Sequence, residues 1–148
     1  MLQAGDIAPD FTATATDGSA VSLSSFKGTS NVVLFFYPED DTSGCTREAC
    51  DFRDAHADFG AVHTVIFGVS TDDQASHQAF TQKYGLNFPL LVDVDRTICN
   101  LYGVPVDDRW AQRTTFLIDR NGVINRVWEQ VRVVGHAADV QEAAAALS

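Results

Sequence analysis

The sequence predicts an α/β domain with a mixed central sheet, helices on both faces and a β-hairpin at the N-terminus. Residues 32–37 are apolar and β-branched or aromatic without polar alternation, as in a central strand buried on both faces. Strand-like and helix-like segments then alternate along the chain, which is the pattern of βαβ units. Two late strand segments flank an Asn-Gly pair, which adds an antiparallel hairpin to the sheet.

The first elements follow from local signals. Residues 11–15 and 20–23 flank an Asp-Gly turn and predict the N-terminal hairpin. The buried strand at 32–37 ends at Pro38. Residues 45–59 then have helical spacing. Four side chains of this helix fall along one face: Cys45, Ala49, Phe52 and Phe59.

The middle of the chain predicts a second buried strand and a second helix. Residues 62–69 are strongly apolar and have the length of a strand. Thr71 followed by Gln74 three positions later matches a capping box. A helix is therefore predicted over residues 72–84, and Gly85 is expected to end it.

The remaining elements are predicted in the order strand, short helix, hairpin and helix. The strand covers residues 89–92, and the short helix covers residues 96–102 and ends at Gly103. Residues 114–118 and 123–128 form the hairpin around the Asn-Gly pair. The last helix has a modest apolar stripe, which predicts docking on the sheet: Val140, Ala143, Ala144 and Leu147.

Length and charge limit the classes of function. The 148 residues fit one domain, 1–148, and 45% hydrophobic content is enough for one sizeable core. The formal net charge of -10 argues against nucleic acid, because phosphate binding needs a basic patch. The first residues lack a signal-peptide pattern, and no apolar run approaches the ~20 residues of a membrane span. We therefore expect a cytoplasmic protein that does not bind a membrane, and a monomer because no long exposed apolar stripe stands out.

The loop after the buried strand carries the main chemical signal. The residues Thr42-Ser43-Gly44-Cys45 are followed five positions later by Cys50. In a thioredoxin-like strand, loop and helix this place usually carries Cys-x-x-Cys, so here a hydroxyl replaces the first thiol. Cys45 is expected at a helix N-terminus, where unpaired N–H groups and the helix dipole favour a thiolate. The segment indicates a redox-active thiol whose first partner is something other than a disulfide.

These residues resemble the active-site motif of the peroxiredoxins, Pro38-x-x-x-Thr42-x-x-Cys45. Together with Cys50, the motif looks like that of the Q subfamily, also called bacterioferritin comigratory proteins. Two further segments resemble the same subfamily: residues 5–11 and 113–119. The resemblance covers nearly the whole chain and implies a thioredoxin-like fold.

The resemblance also implies a role for each of five residues. Cys45 would be the peroxidatic cysteine, whose thiolate attacks a peroxide oxygen and becomes a sulfenic acid, and Cys50 would resolve it as an intramolecular disulfide. Pro38 would shield the pocket, Thr42 would hydrogen-bond the peroxide, and Arg113 would stabilise the thiolate and the leaving oxygen. The implied partners are hydrogen peroxide, small organic hydroperoxides and a thioredoxin-like reductant. No metal or other cofactor is expected.

The spacing of the two cysteines predicts a conformational change. Residues five apart in an intact helix have Cα atoms roughly 8.7 Å apart, whereas a disulfide needs less than about 7 Å. If Cys45 bonds Cys50, the first turns of the helix must therefore unwind. We expect oxidation to loosen the segment from Cys45 to about Arg53.

Two other functions are compatible with the sequence: a thiol-disulfide oxidoreductase that acts on protein substrates, and a non-catalytic redox sensor.

Cys99 is interpreted as a packing residue, with a resolving role as the alternative. Glu48 is interpreted as a charge that favours the helix dipole. The acidic run is interpreted as a solvated loop: Glu39, Asp40 and Asp41. Three histidines are interpreted as ordinary surface or strand residues: His63, His77 and His136.

Overall fold

The structure is a computed structural model that describes residues 1–147. In chain order its strands are β1 (Thr12–Thr14), β2 (Ala20–Ser22), β3 (Asn31–Phe36), β4 (Thr64–Ser70), β5 (Leu90–Val92), β6 (Val106–Asp107), β7 (Trp110–Ala111), β8 (Thr114–Ile118) and β9 (Ile124–Trp128). Its α-helices are α1 (Ser43–Asp54), α2 (His56–Ala61), α3 (Gln74–Tyr84), α4 (Thr97–Tyr102) and α5 (His136–Ala145). The predicted domain, 1–148, includes Ser148, which lies outside the described residues.

Five strands form the central sheet in the order β5-β4-β3-β8-β9. The central strand β3 runs parallel to β4, where Val32 lies opposite Val65, and antiparallel to β8, where Val32 lies opposite Ile118. Strand β5 is parallel to β4, and β9 is antiparallel to β8. The separate hairpin β1-β2 precedes this sheet. The predicted mixed sheet and N-terminal hairpin are confirmed.

The core lies on both faces of the sheet, because every residue of β3 is buried and successive side chains point to opposite faces. Leu34 and Phe36 face a cluster that includes residues of α4 and the N-terminal hairpin. Val33 and Phe35 face a second cluster, which includes residues of α1, α2, α3 and α5. Each fully buried aliphatic or aromatic side chain contributes about 1.5–3 kcal/mol of hydrophobic free energy. The prediction of helices on both faces is confirmed.

The predicted helix over residues 45–59 is two helices. Helix α1 ends at Asp54, and Ala55 leaves the helical region with φ -90° and ψ 1° before α2 begins. The carbonyl of Arg53 accepts a hydrogen bond from Asn87 Nδ2 at 3.2 Å, so a side chain from outside the helix binds at this bend. The spacing of Phe52 and Phe59 predicted a shared face, and their ring centroids are 5.8 Å apart in one cluster.

The predicted capping box of α3 is wrong. Its N-cap is Asp73, whose carboxylate accepts a hydrogen bond from Ser76 N at 2.9 Å. Thr71 lies before the helix, and its hydroxyl donates to the carbonyl oxygen of Arg109. The helix ends as predicted, at Gly85 in the left-handed region with φ 61°.

A second small hairpin, β6-β7, was not predicted. Each of its strands has two residues, which is too short to show an alternating pattern. Val106 pairs with Ala111, and Asp108 occupies the turn with φ 57°. The other predicted elements are present, with ends shifted by one or two residues. Among residues 1–147, no helix combines the length and apolar character needed to cross a bilayer.

Candidate active site

Cys45 lies at the start of α1, as predicted. The chain leaves the sheet at the end of β3 and enters the helix through an extended N-cap residue, Thr42, with φ -86° and ψ 157°. Cys45 is the third residue of α1 and is 1% exposed. The backbone N–H groups of a first helical turn and the helix dipole favour an anion. The fold therefore holds a buried thiol at the start of a helix, beside the unpaired N–H groups of the first turn.

Arg113 precedes β8 and reaches the Cys45 thiol from the neighbouring strand. Its Nη2 donates to Cys45 Sγ at 3.4 Å, and its Nη1 donates to Glu48 Oε1 at 2.8 Å. Burial alone would lower the pKa of Arg113, but the two acidic partners, Glu48 and Cys45, raise it. A Cβ atom on Gly44 would lie 3.1 Å from Nη2, so the glycine leaves room for the guanidinium.

Glu48 is part of this site, although its sequence position suggested only a favourable charge near the helix start. Its side chain is 1% exposed. Burial raises the pKa of Glu48 to about 7, and the charge and hydrogen bond of Arg113 oppose this effect. Its Oε2 atom has no hydrogen-bond partner among residues 1–147. The spacing of three residues from Cys45 places both side chains on one helix face and was the available signal.

His136 lies behind Glu48, and its interpretation as a surface or strand residue is wrong. It begins α5, is 4% exposed, and has Nε2 at 2.8 Å from Thr115 Oγ1. The same nitrogen is 4.0 Å from Glu48 Oε2. Burial lowers the pKa of His136 to about 4, with a further lowering by Arg113 opposed by Asp139. A neutral imidazole therefore packs behind the Glu48 carboxyl near neutral pH.

Pro38 and Thr42 lie in the loop that connects β3 to α1. Pro38 is half-buried directly after the fully buried Tyr37. Thr42 is exposed, and its Oγ1 donates to Glu39 O at 3.1 Å. Within the described residues, that hydroxyl makes no hydrogen bond to Cys45. The structure thus brings Arg113 to Cys45 directly, whereas the Thr42 hydroxyl is bonded to the loop backbone.

The other two cysteines differ in their relation to Cys45. All three cysteines, each in the described range, are free thiols. Cys50 is half-buried in α1, on the same intact helix as Cys45. Cys99 belongs to the cluster on the opposite face of the sheet, and burial followed by interaction with Asp93 raises the pKa of its thiol. This burial is consistent with the packing role predicted for Cys99.

Asp40 anchors the loop and is not a solvated residue, in contrast to the prediction. Its Oδ1 accepts from Tyr37 OH at 2.6 Å, and its Oδ2 accepts from Ser76 Oγ at 2.8 Å. The ring nitrogen His77 Nδ1 lies 2.7 Å from the same Oδ2 atom. His77 is fully buried in α3, so its interpretation as a surface or strand residue is wrong.

Three donor atoms beside this loop lie within 4.8 Å of one another, on Asp40, Asp72 and His77. Each already has protein partners. Asp72 Oδ2 accepts from Ser70 Oγ at 2.6 Å and from Asp40 N at 2.8 Å. The second ring nitrogen of His77 lies 2.9 Å from Leu91 O. We therefore interpret the group as a hydrogen-bond network that holds the loop.

The β6-β7 hairpin contacts the outer side of the same loop. Trp110 Nε1 donates to Glu39 Oε2 at 3.1 Å, and Arg109 Nη2 lies 3.5 Å from Glu39 Oε1. The Arg109 guanidinium lies over the indole, 5.1 Å from its centroid. Pro38 and Val94 also line the adjoining cavity of ≈ 290 Å³. This hairpin packs against the part of the loop that contains Pro38 and Glu39.

Comparisons with known proteins agree with this geometry. Residues 4–127 match the AhpC/TSA family. The chain is 47% identical over 146 residues to the putative peroxiredoxin bcp of Coxiella burnetii, which covers 94% of this chain and 96% of that protein. It is 40% identical over 145 residues to the peroxiredoxin Bcp of Bacillus subtilis, with 93% and 92% covered.

Solved structures show the same relationship. One of them concerns the alkyl peroxide reduction activity of the Xanthomonas campestris bacterioferritin comigratory protein. It superposes with a TM-score of 0.88 at 31% identity, and the match covers 92% of this chain and 90% of that chain. The chain belongs to the AhpC/TSA family, as a peroxiredoxin of the Q or bacterioferritin comigratory protein type.

Proposed function

We propose that Cys45 is the peroxidatic cysteine of this thiol-dependent peroxidase and that hydrogen peroxide and small organic hydroperoxides are its substrates. The observation that carries the proposal is the guanidinium of Arg113, which bonds Cys45 Sγ and Glu48 Oε1 at once. This arrangement places a fixed positive charge beside a buried thiol at a helix start. The alkyl peroxide activity of the Xanthomonas campestris relative supports the substrate class.

In the first step the Cys45 thiolate attacks one peroxide oxygen, and the oxygen–oxygen bond breaks. An S–O bond forms, so the sulfur is oxidised to a sulfenic acid, and the other oxygen leaves as water or an alcohol after it gains a proton. Acidifying a thiol increases its thiolate fraction but weakens its nucleophilicity. Most of the acceleration must therefore come from donors that stabilise the leaving oxygen, each of which can supply ~3 kcal/mol.

Arg113, Thr42 and the backbone N–H of Cys45 are the donors that we propose. Arg113 is held in place by its 2.8 Å hydrogen bond to Glu48, so it needs no reorganisation when the charge develops. Thr42 turns its hydroxyl from the Glu39 carbonyl to the peroxide. Pro38 covers the approach to Cys45 and limits the access of water.

Cys50 then resolves the sulfenic acid. Its thiol attacks the Cys45 sulfur, a disulfide forms, and the sulfenic oxygen leaves as water. Both cysteines lie in the intact helix α1, at a Cα separation of roughly 8.7 Å for ideal geometry. This exceeds the limit of about 7 Å for a disulfide, so α1 must unwind before the bond can form.

A thioredoxin-like dithiol reduces the disulfide and completes the cycle. Because that reductant is kept reduced in the cytosol, we place the protein in the cytoplasm. A monomer contains both cysteines of this cycle and suffices for it.

Mass spectrometry of the intact protein tests these roles. One equivalent of hydrogen peroxide is added to reduced wild-type, Cys50→Ser and Cys45→Ser proteins. We expect wild type to lose about 2 Da, Cys50→Ser to gain ~16 or ~32 Da, and Cys45→Ser to show no fast reaction. An unchanged wild-type mass would instead indicate an enzyme that exchanges disulfides with protein substrates.

A further inference from the structure

The loop residue Asp41, just before α1, is held by the C-terminal end of α3. Asp41 lies in the left-handed region with φ 61°. Its Oδ2 accepts from Lys83 Nζ at 2.8 Å, and its Oδ1 accepts from Tyr84 OH at 2.7 Å. Both oxygens of one carboxylate are therefore bound to consecutive residues of α3. These contacts lie just before the first turn of α1.

The far end of α1 is tied to the same part of the molecule. Arg53 Nη1 donates to the backbone oxygen of Tyr84 at 2.6 Å. Asn87 Nδ2 donates in return to the backbone oxygen of Arg53 at 3.2 Å. The two tied residues, Asp41 and Arg53, enclose Cys45 and Cys50. We call Lys83, Tyr84 and Asn87 the α3 clamp.

The contacts of Asp41 differ in exposure from those of its neighbour. Asp40 is bound by buried partners, Tyr37 and His77, and its carboxylate is 3% exposed. The Asp41 carboxylate is 41% exposed and the Lys83 side chain 59% exposed. Exposed contacts of this kind break at low cost, whereas buried polar contacts do not. The chain can therefore release from Asp41 onward while the loop as far as Asp40 keeps its position.

We propose that the α3 clamp sets how long Cys45 stays in the helix after oxidation, and thereby divides its sulfenic acid between two fates. The proposal rests on the proposed disulfide between Cys45 and Cys50. Among the described residues, Lys83, Tyr84 and Asn87 make no hydrogen bond to either sulfur, so they act as positioning residues. The clamp stabilises the helical form in which Cys45 meets peroxide and opposes the unwound form in which it meets Cys50.

The two fates have different kinetics. In the first, the Cys50 thiol displaces water from the sulfenic acid, and the rate depends on unwinding and not on peroxide. In the second, the sulfenic acid attacks another peroxide molecule, becomes a sulfinic acid and releases water or an alcohol. This second rate rises in proportion to peroxide concentration. A tighter clamp therefore increases the fraction of protein lost to sulfinic acid at each turnover.

The double variant Lys83→Met, Tyr84→Phe tests the proposal, because it frees the Asp41 carboxylate and keeps the Tyr84 ring and backbone. Rapid acid quench and intact-mass measurement follow disulfide formation after one equivalent of hydrogen peroxide. We expect the disulfide to form about two- to fivefold faster than in wild type, the range that exposed ion pairs produce. At high peroxide, the sulfinic fraction should fall by a similar factor. Amide exchange of residues 41–53 should be faster in the reduced variant.

Two controls separate this proposal from the proposed function. Lys27→Met removes an exposed lysine elsewhere on the surface and should match wild type in both rates. The double variant combined with Cys50→Ser reports the first oxidation of Cys45 alone. If that oxidation fails even in Cys50→Ser by itself, the proposed function and the clamp are both overturned. If it is normal but the disulfide rate and sulfinic fraction do not change, only the clamp is overturned.

Discussion

The guanidinium of Arg113 donates hydrogen bonds to two acidic side chains, Cys45 and Glu48. A planar fork of donors can meet a sulfur and a carboxylate together, whereas a lysine ammonium is a point charge on a flexible stem. The 2.8 Å hydrogen bond to Glu48 fixes the orientation of the guanidinium, and in this orientation its other nitrogen donates to Cys45 Sγ at 3.4 Å. The charge alone is therefore insufficient for the proposed chemistry.

The variant Arg113→Lys keeps the charge and loses the fork. We expect the second-order rate constant for Cys45 oxidation to fall about 10²- to 10³-fold, as for the loss of one preorganised donor. Stopped-flow measurement with hydrogen peroxide checks this, with Arg132→Lys as the control at an exposed position. A change of less than threefold would argue against the role of Arg113.

Glu48 makes the stability of the protein depend on pH. Burial raises its pKa from 4.5 to about 7, so the folded protein binds a proton at this carboxyl more tightly than the unfolded chain does. The stabilisation is complete below about pH 4.5 and is lost as the pH rises through about 7. His136, whose pKa is lowered from 6.5 to about 4, acts in the opposite sense: its contribution is present above 6.5 and lost as the pH falls through 4.

The variant Glu48→Gln removes the pH dependence of stability that Glu48 causes and keeps the one that His136 causes. The free energy of unfolding of the variant, relative to wild type, should rise by about 3 kcal/mol between pH 4.5 and pH 7.5. Urea unfolding of both proteins at the two pH values measures this difference, in which His136 cancels. A difference that stays constant with pH would show that Glu48 does not titrate in this range.

Among the elements, α1 is the one to which the proposed cycle assigns two different geometries. As an intact helix from Ser43 to Asp54 it places Cys45 beside Arg113. The proposed disulfide requires that its first turns be lost. Hydrogen exchange of the oxidised protein should therefore be faster than that of the reduced protein for residues 45–53. Residues of α3 should be unchanged, and equal protection of α1 in both states would contradict the disulfide.

The element predictions succeeded where a pattern is long and apolar. The conformation of strand β3 and of helix α5 is determined by residues close together in the sequence. The end of α3 at Gly85 was predicted from the same kind of local signal. The start of α3 was misplaced because both Thr71 and Asp73 can cap a helix, and the structure uses Thr71 for a contact with Arg109 instead. The hairpin β6-β7 depends on such tertiary contacts and carries no periodic signal of its own.

In the whole molecule, the central sheet separates Cys99 from Cys45. Cys45 packs in the cluster on one face, and Cys99 packs in the cluster on the other. We expect Cys99→Ala to leave the rate of peroxide-induced disulfide formation within twofold of wild type. The free energy of unfolding of this variant should be lower by roughly 1 kcal/mol or more, because a small cavity is left in the core. Intact mass and urea unfolding measure the two effects, and loss of the disulfide would transfer the resolving role to Cys99.

The sequence by itself determined the fold class and the thiol at the start of a helix, because both depend on apolar periodicity and on residues close together in the chain. The five proposed site residues were also identified in the sequence: Pro38, Thr42, Cys45, Cys50 and Arg113. Their roles came from a resemblance and remain proposals. Only the tertiary structure decided which side chains surround them. Glu48, His136, Asp40 and His77 were misread as exposed or incidental, since their burial arises from elements far apart in sequence. Contacts across such distances leave no periodic pattern, and they place Arg113 beside Cys45 and the end of α3 beside Asp41.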